Sequence, residues 1–186
     1  MNSYYKILEH TADIGIESVG SDFAEALEKA TEGLRSIMVK TKDVKKIPVF
    51  LLKMFGFKTT EKYTFSEVED NESLPPEILD LEPTEVIEIS EIRNICLEAD
   101  DKESLVVKWL NEVLFYFDSE SFVCKKAKIK KIEEYDGNYK IQGLFFGKYF
   151  NPKLDTMLAH VKAVTYHQLS VITNEENVTI KVFFDI

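Results

Sequence analysis

The chain has 186 residues, of which 45% are hydrophobic, and it carries 33 acidic against 23 basic residues. That is enough apolar material for one substantial core and too little length for several, so a single domain spanning 1–186 is expected. No apolar run approaches membrane-spanning length, and Met1 to Lys6 lacks the basic-then-apolar pattern of a leader, which predicts an intracellular protein of the cytoplasm, the nucleus or both, with no membrane partner.

Tyr4 to Leu8 and Asp13 to Val19 read as strands flanking a His10-Thr11-Ala12-Asp13 turn. From Phe23 the apolar positions Ala26, Leu27, Ala30, Leu34, Ile37 and Met38 recur along one face of a helix of four turns. Asp22, with Glu25 three residues later, forms a plausible capping arrangement at its start.

Charge then becomes strongly uneven. Residues 61–91 hold eleven of the acidic residues and one basic residue, Lys62, so the remainder of the chain is balanced at 22 of each sign. Three of the five prolines, Pro75, Pro76 and Pro83, fall in the same stretch and argue against a regular element through it. We read about 48–90 as an acidic insertion in a compact domain. Its opening, Val49 to Phe57, is too apolar for a solvated linker and is expected to dock. An elaboration without its own activity and an acidic docking segment for a basic partner are both open readings.

Residues 86–98 read as a long strand. A second helix is predicted from about Glu103 to Phe117, and Val107, Phe115 and Tyr116 widen its apolar face beyond one side. Strands 123–134 and 138–146 meet at Asp136-Gly137, a strong hairpin signal, and 161–172 and 178–185 pair across Asn174 to Asn177. Strands clustered around two helices predict an α+β layered fold. Cys96 and Cys124 have no metal-type spacing and read as reduced strand or core side chains. Lys125, Lys126, Lys128, Lys130 and Lys131 read as one solvated sheet surface, and a phosphate-contacting patch is the lesser reading because no stacking aromatics interleave with them.

The chemistry gathers at the chain's two ends. If the first and last strands are neighbours in one sheet, Asp13, Asp185 and the carboxylate of Ile186 converge, and carboxylates held that close call for a cation. Taken singly, Asp13 is an ordinary turn or capping aspartate, Asp185 a solvated residue and Lys162 an exposed strand lysine. His10 and His167 are lone histidines for which a hydrogen-bonded structural role is equally open.

Several separate segments resemble the archease family. They are Tyr5 to Ile16 (YKILEHTADIGI), the first helix with Glu25-Ala26 and Gly33-Leu34, Trp109 to Asp118, Val161 to His167 (VKAVTYH), and the closing Asp185-Ile186. The resemblance covers about residues 4–46 and 93–186 and leaves the acidic insertion aside. It implies an archease-like single domain with mixed or antiparallel sheet layers and two main helices. It also implies an accessory protein of RtcB-type RNA ligases, promoting their guanylylation and multiple turnover in tRNA splicing and RNA repair, with RNA met only through the ligase. The family's divalent-metal site carries over to Asp13, Asp185 and Ile186, with Ca²⁺ expected first and Mg²⁺ or Mn²⁺ as alternatives. Lys162 carries over as a functional position, with His10 and His167 as lesser candidates for partner contact; Asp118 also lies in a family motif, but by its position it reads as helping to terminate the second helix or bonding backbone groups.

Two other classes stand beside this reading. A metal-dependent hydrolase or phosphoesterase would draw on the same carboxylates plus His10 or His167, but no HExxH or glycine-rich phosphate loop is present. An RNA-binding, chaperone-like module would need a basic footprint, and a neutral chain with an acidic segment supplies none.

Overall fold

The computed structural model describes residues 3–9, 13–41 and 91–186. The acidic insertion expected at about 48–90, with its apolar opening, lies outside them, as does His10. The described elements are β1 (Tyr4–Glu9), β2 (Ile14–Gly20), α1 (Phe23–Met38), β3 (Val39–Thr41), β4 (Glu91–Ala99), α2 (Lys102–Glu120), β5 (Phe122–Tyr135), β6 (Asn138–Tyr149), β7 (Asp155–Met157), β8 (Ala163–Thr173) and β9 (Val178–Asp185).

Three antiparallel sheets result, with strand orders β1-β2-β9-β8, β4-β6-β5 and β3-β7. Each helix packs on both larger sheets, α1 against β2 and β5, α2 against β8, β4 and β5. The α+β layered expectation therefore holds. The last strand is a neighbour of β2 rather than of the first strand, and it lies inside the sheet instead of at its edge. Its period-2 pattern explains the placement: Val178, Ile180, Val182 and Phe184 are all buried on one face, as a central strand requires.

Both helices begin as their residues dictate. Asp22 caps α1, its Oδ1 accepting the Glu25 N–H at 2.8 Å, while Glu25 Oε2 reaches back to the Ser21 N–H at 2.7 Å. Asp101 does the same for α2 through the Ser104 N–H at 2.6 Å. The second helix runs further than its apolar period predicts and stops at Ser121, whose φ of 56° gives a left-handed cap with its N–H on the Phe117 carbonyl. The hairpin at Asp136-Gly137 forms with positive φ at both residues, 48° and 79°, as the primed turn requires.

Trp109, fully buried, is the hub between the helices. Its ring meets Phe145 edge-on at 4.8 Å, and a side chain at Gly143 would put a Cβ 2.7 Å from the indole, so only glycine fits there. The indole N–H donates to Thr31 Oγ1 of α1 at 2.9 Å, and the Thr31 hydroxyl donates to the Leu27 carbonyl at 2.9 Å. Glu28, one turn from Thr31 on the same helix, accepts the Ile129 N–H of β5 at 2.7 Å, which satisfies a backbone donor on an edge strand.

The lysine cluster is not one surface. A register shift between Cys124 and Lys126 turns Lys125 inward, where it is buried and donates to Thr41 Oγ1, leaving Lys126, Lys128, Lys130 and Lys131 exposed. The short β3-β7 pair had no signal long enough to read in sequence. It is anchored by a buried ion pair, Lys148 Nζ to Asp155 Oδ1 at 3.0 Å, and Asp155 Oδ2 accepts the Asn151 N–H at 2.8 Å. Both cysteines are free and lie on strands, Cys124 buried and Cys96 exposed, and burial pushes the Cys124 thiol well above its ordinary range.

Two outcomes are expected. Thr31→Val, which keeps the shape and strands a buried indole N–H, lowers unfolding free energy by about 1–3 kcal/mol in urea titrations. The Ser21 backbone bond holds the Glu25 carboxyl at about 2, down from an ordinary value of 4.5. A depressed carboxylate contributes stability that is full above 4.5 and lost as pH falls toward 2. Glu25→Gln should therefore flatten the fall in melting temperature over that window while changing little near neutrality.

Candidate functional site

The β2–β9 ladder brings the two ends of the chain together. Ile14 faces Phe184 and Gly15 faces Phe183, so one further step of the same antiparallel register sets Asp13 opposite Asp185. By the alternation of the ladder both aspartates fall on the face that carries Gly15 and Phe183. A Cβ at Gly15 would lie 2.7 Å from the Phe183 ring, so the glycine lets that ring lie across the neighbouring strand.

On the other side of β9, Ala163 pairs with Asp185, and the ladder continues through the Lys162 N–H, which donates to the Asp185 carbonyl at 2.8 Å. The Lys162 ammonium donates to the Ile186 main-chain oxygen at 3.0 Å. Asp185, Lys162 and Ile186 are exposed and Asp13 is half-buried. Three of the sequence-predicted positions and Lys162 thus share one end of one sheet.

The donors fit a hard cation in kind. Asp13 and Asp185 offer carboxylate oxygens and Ile186 a further oxygen, a set suited to Ca²⁺ or Mg²⁺, with the open positions left to water or a partner. Among the described residues no group of three or more His, Cys, Asp or Glu side chains is placed to hold a metal ion.

The second helix holds the lysine-bearing segment from the side. Asn111 Oδ1 accepts the Val164 N–H at 3.2 Å, Asp118 Oδ1 lies 3.6 Å from His160 Nε2, and the Tyr166 hydroxyl lies 3.5 Å from Ser104 Oγ. Asp118 therefore does not terminate the helix, as its position suggested, but sits within the last turn and faces His160. Sequence reasoning missed Asn111 and His160. The heptad spacing of Ser104, Asn111 and Asp118 was the available signal, since it sets three polar side chains on one stripe of the helix.

His167 takes a different place. Between Thr165–Phe183 and Ser170–Lys181 four residues of β8 face one of β9, a bulge with Gln168 at φ 53°. His167 is exposed within it, its Nε2 3.1 Å from Gln168 Nε2, and the bulge leaves it without a partner in the β8–β9 ladder.

Residues 5–70 and 78–186 match the archease protein family (MTH1598/TM1083). The chain belongs to the archease family. The match runs through most of the segment the resemblance left aside and breaks only at 71–77. Among its relatives, an archease of Methanosarcina acetivorans is 26% identical over 182 residues, 98% of this chain and 95% of that protein. One of Pyrococcus furiosus is 29% identical over 163 residues, 88% of this chain and 84% of the other. The solution structure of Methanobacterium thermoautotrophicum protein 1598 superposes with a TM-score of 0.63 at 22% identity, covering 98% of both chains, which shows the shared fold. No helix among the described residues of this archease is long and apolar enough to cross a membrane.

Asn111→Ala should leave the archease folded yet free the Val164 amide. Hydrogen exchange at Val164 is expected to speed by about tenfold, the equivalent of one lost hydrogen bond, with the β2–β9 amides unchanged.

Proposed function

We propose that this archease is a non-catalytic accessory protein that promotes guanylylation and multiple turnover of an RtcB-type RNA ligase in tRNA splicing and RNA repair. The observation that supports it is the meeting of Asp13 and Asp185, by ladder register, with a lysine tied to the chain end, all at an exposed sheet end. An exposed cluster of this kind suits contact with a partner better than enclosed chemistry.

Asp13, Asp185 and Ile186 would hold a divalent cation, Ca²⁺ first and Mg²⁺ or Mn²⁺ as alternatives. When bound it would supply positive charge with coordination positions open to a phosphate or to a partner's carboxylate. Lys162 adds an ammonium that can turn from the Ile186 oxygen toward an incoming anion. Asn111 holds the start of β8, the strand that Lys162 directly precedes. RNA is met only through the ligase, and the site of action is the cytoplasm, the nucleus or both.

Guanylylation of the cognate ligase, measured with GTP and substoichiometric archease, tests the reading. Asp13→Ala, Asp185→Ala and Lys162→Ala should each lower the stimulation by about tenfold or more, the usual loss when one member of a charged contact is removed. Circular dichroism establishes that each variant is folded. Full stimulation by all three folded variants would overturn the proposal, and phosphoester cleavage by the archease alone would favour a hydrolase instead.

A further inference from the structure

Charge also gathers in a groove of about 710 Å³ between the start of α1, the far half of β5 and the first residues of α2 and β6. That is within the range of small-molecule sites. Its lining includes four lysines, Lys102, Lys128, Lys130 and Lys131, and four carboxylates, Asp22, Glu25, Glu28 and Glu134. The two sets are equal in number but not in availability.

Every one of the carboxylates is already engaged. Asp22 caps α1 and Glu25 is bound by the Ser21 N–H. Glu28 accepts the Ile129 N–H and pairs with Lys128 at 3.2 Å, and Glu134 is hydrogen-bonded to Tyr139. Two of the lysines, Lys102 and Lys130, are not so engaged. Among the described residues Lys130 makes no ion pair, and Lys102 has no carboxylate partner, its ammonium lying 5.9 Å and 6.0 Å from the Phe23 and Tyr139 ring centroids. Lys131 pairs with Glu133, but both side chains are exposed and such a pair is readily exchanged.

The backbone is arranged for this. A second register shift in β5, between Ile129 and Lys131, leaves Lys130 without a cross-strand partner, and both it and Lys131 are exposed and line the groove. Without the bulge, alternation would send the two to opposite faces. The helix starts themselves are capped by their own aspartates, so the attraction comes from the lysines.

We propose that this groove binds a phosphate-bearing small molecule, with consecutive phosphates spanning Lys102, Lys130 and Lys131. Two ammonium groups without an ionic partner, beside a third whose exposed pair with Glu133 can exchange, suit a compact polyanion. Its enclosure by engaged carboxylates, on a chain of net charge −10, disfavours a long nucleic acid. A terminal nucleoside would lie toward Tyr139.

Calorimetric titration of the full chain with pyrophosphate, and separately with ATP, in metal-free buffer at physiological salt tests the proposal. Saturable binding is expected, weakened about tenfold or more by Lys130→Glu, the loss of one charge-assisted contact. Lys130 is exposed in a bulge, so this variant spares the fold; Lys102→Gln should weaken binding as well. Lys6→Gln on β1, outside the groove, should change nothing. Equal affinity for the two ligands means that the phosphates alone are recognised, and tighter binding of ATP adds the nucleoside; both support the site. No saturable binding, indifference to Lys130→Glu, or equal competition by sulfate would overturn it.

Discussion

The pairing of β2 with β9 is the constraint on which the rest depends. It joins a strand that begins at Ile14 to one that ends at Asp185, and it places the last strand between β2 and β8 at the centre of the four-stranded sheet. The reward is burial: Ile16, Ile180, Val182 and Phe184 are fully inaccessible to solvent. The cost is closing a loop of nearly the whole chain before that burial is gained. Because Asp13 and Asp185 lie just at the end of the ladder, the register that builds the core also sets the two ends of the candidate site.

The first helix makes the two large sheets one body. Through Thr31 it holds the indole of Trp109, and through Glu28 it holds the edge of β5. These are polar contacts from one helix face, set among buried Leu27, Ala30 and Leu34. Apolar packing of that kind supplies most of the energy, whereas the directional bonds fix the rotation of the helix relative to both sheets. The second helix plays the corresponding part for β8, where Asn111 secures Val164, two residues after Lys162.

Much of this was legible in the residues. Period 3.6 in α1, the Asp22–Glu25 cap, the Asp136-Gly137 turn and the alternation of β9 are local signals, and each corresponds to an element that formed where it was read. The features that were not legible depend on partners distant in sequence. Lys125 turned inward because a bulge reversed its side, and no property of a run of lysines announces a bulge. Asp118 met His160 across an interface between α2 and the approach to β8. The β3 and β7 strands are three residues each and exist through each other and the Lys148–Asp155 pair.

By itself, then, the sequence determined the types of its longer elements, the termini of its first helix and, through separate motifs in a fixed order, its membership of a family. Those are properties of neighbouring residues, set by backbone preference, periodicity and caps. Only the tertiary structure decided which strands neighbour one another, which faces are covered and which charges remain without counter-ions. Asp13 and Asp185 are ordinary carboxylates until strand order sets them side by side, and Lys130 is an ordinary lysine until a one-residue slip turns it into a groove. Register is a relation between distant segments, so it becomes fixed only when the core that depends on it is complete.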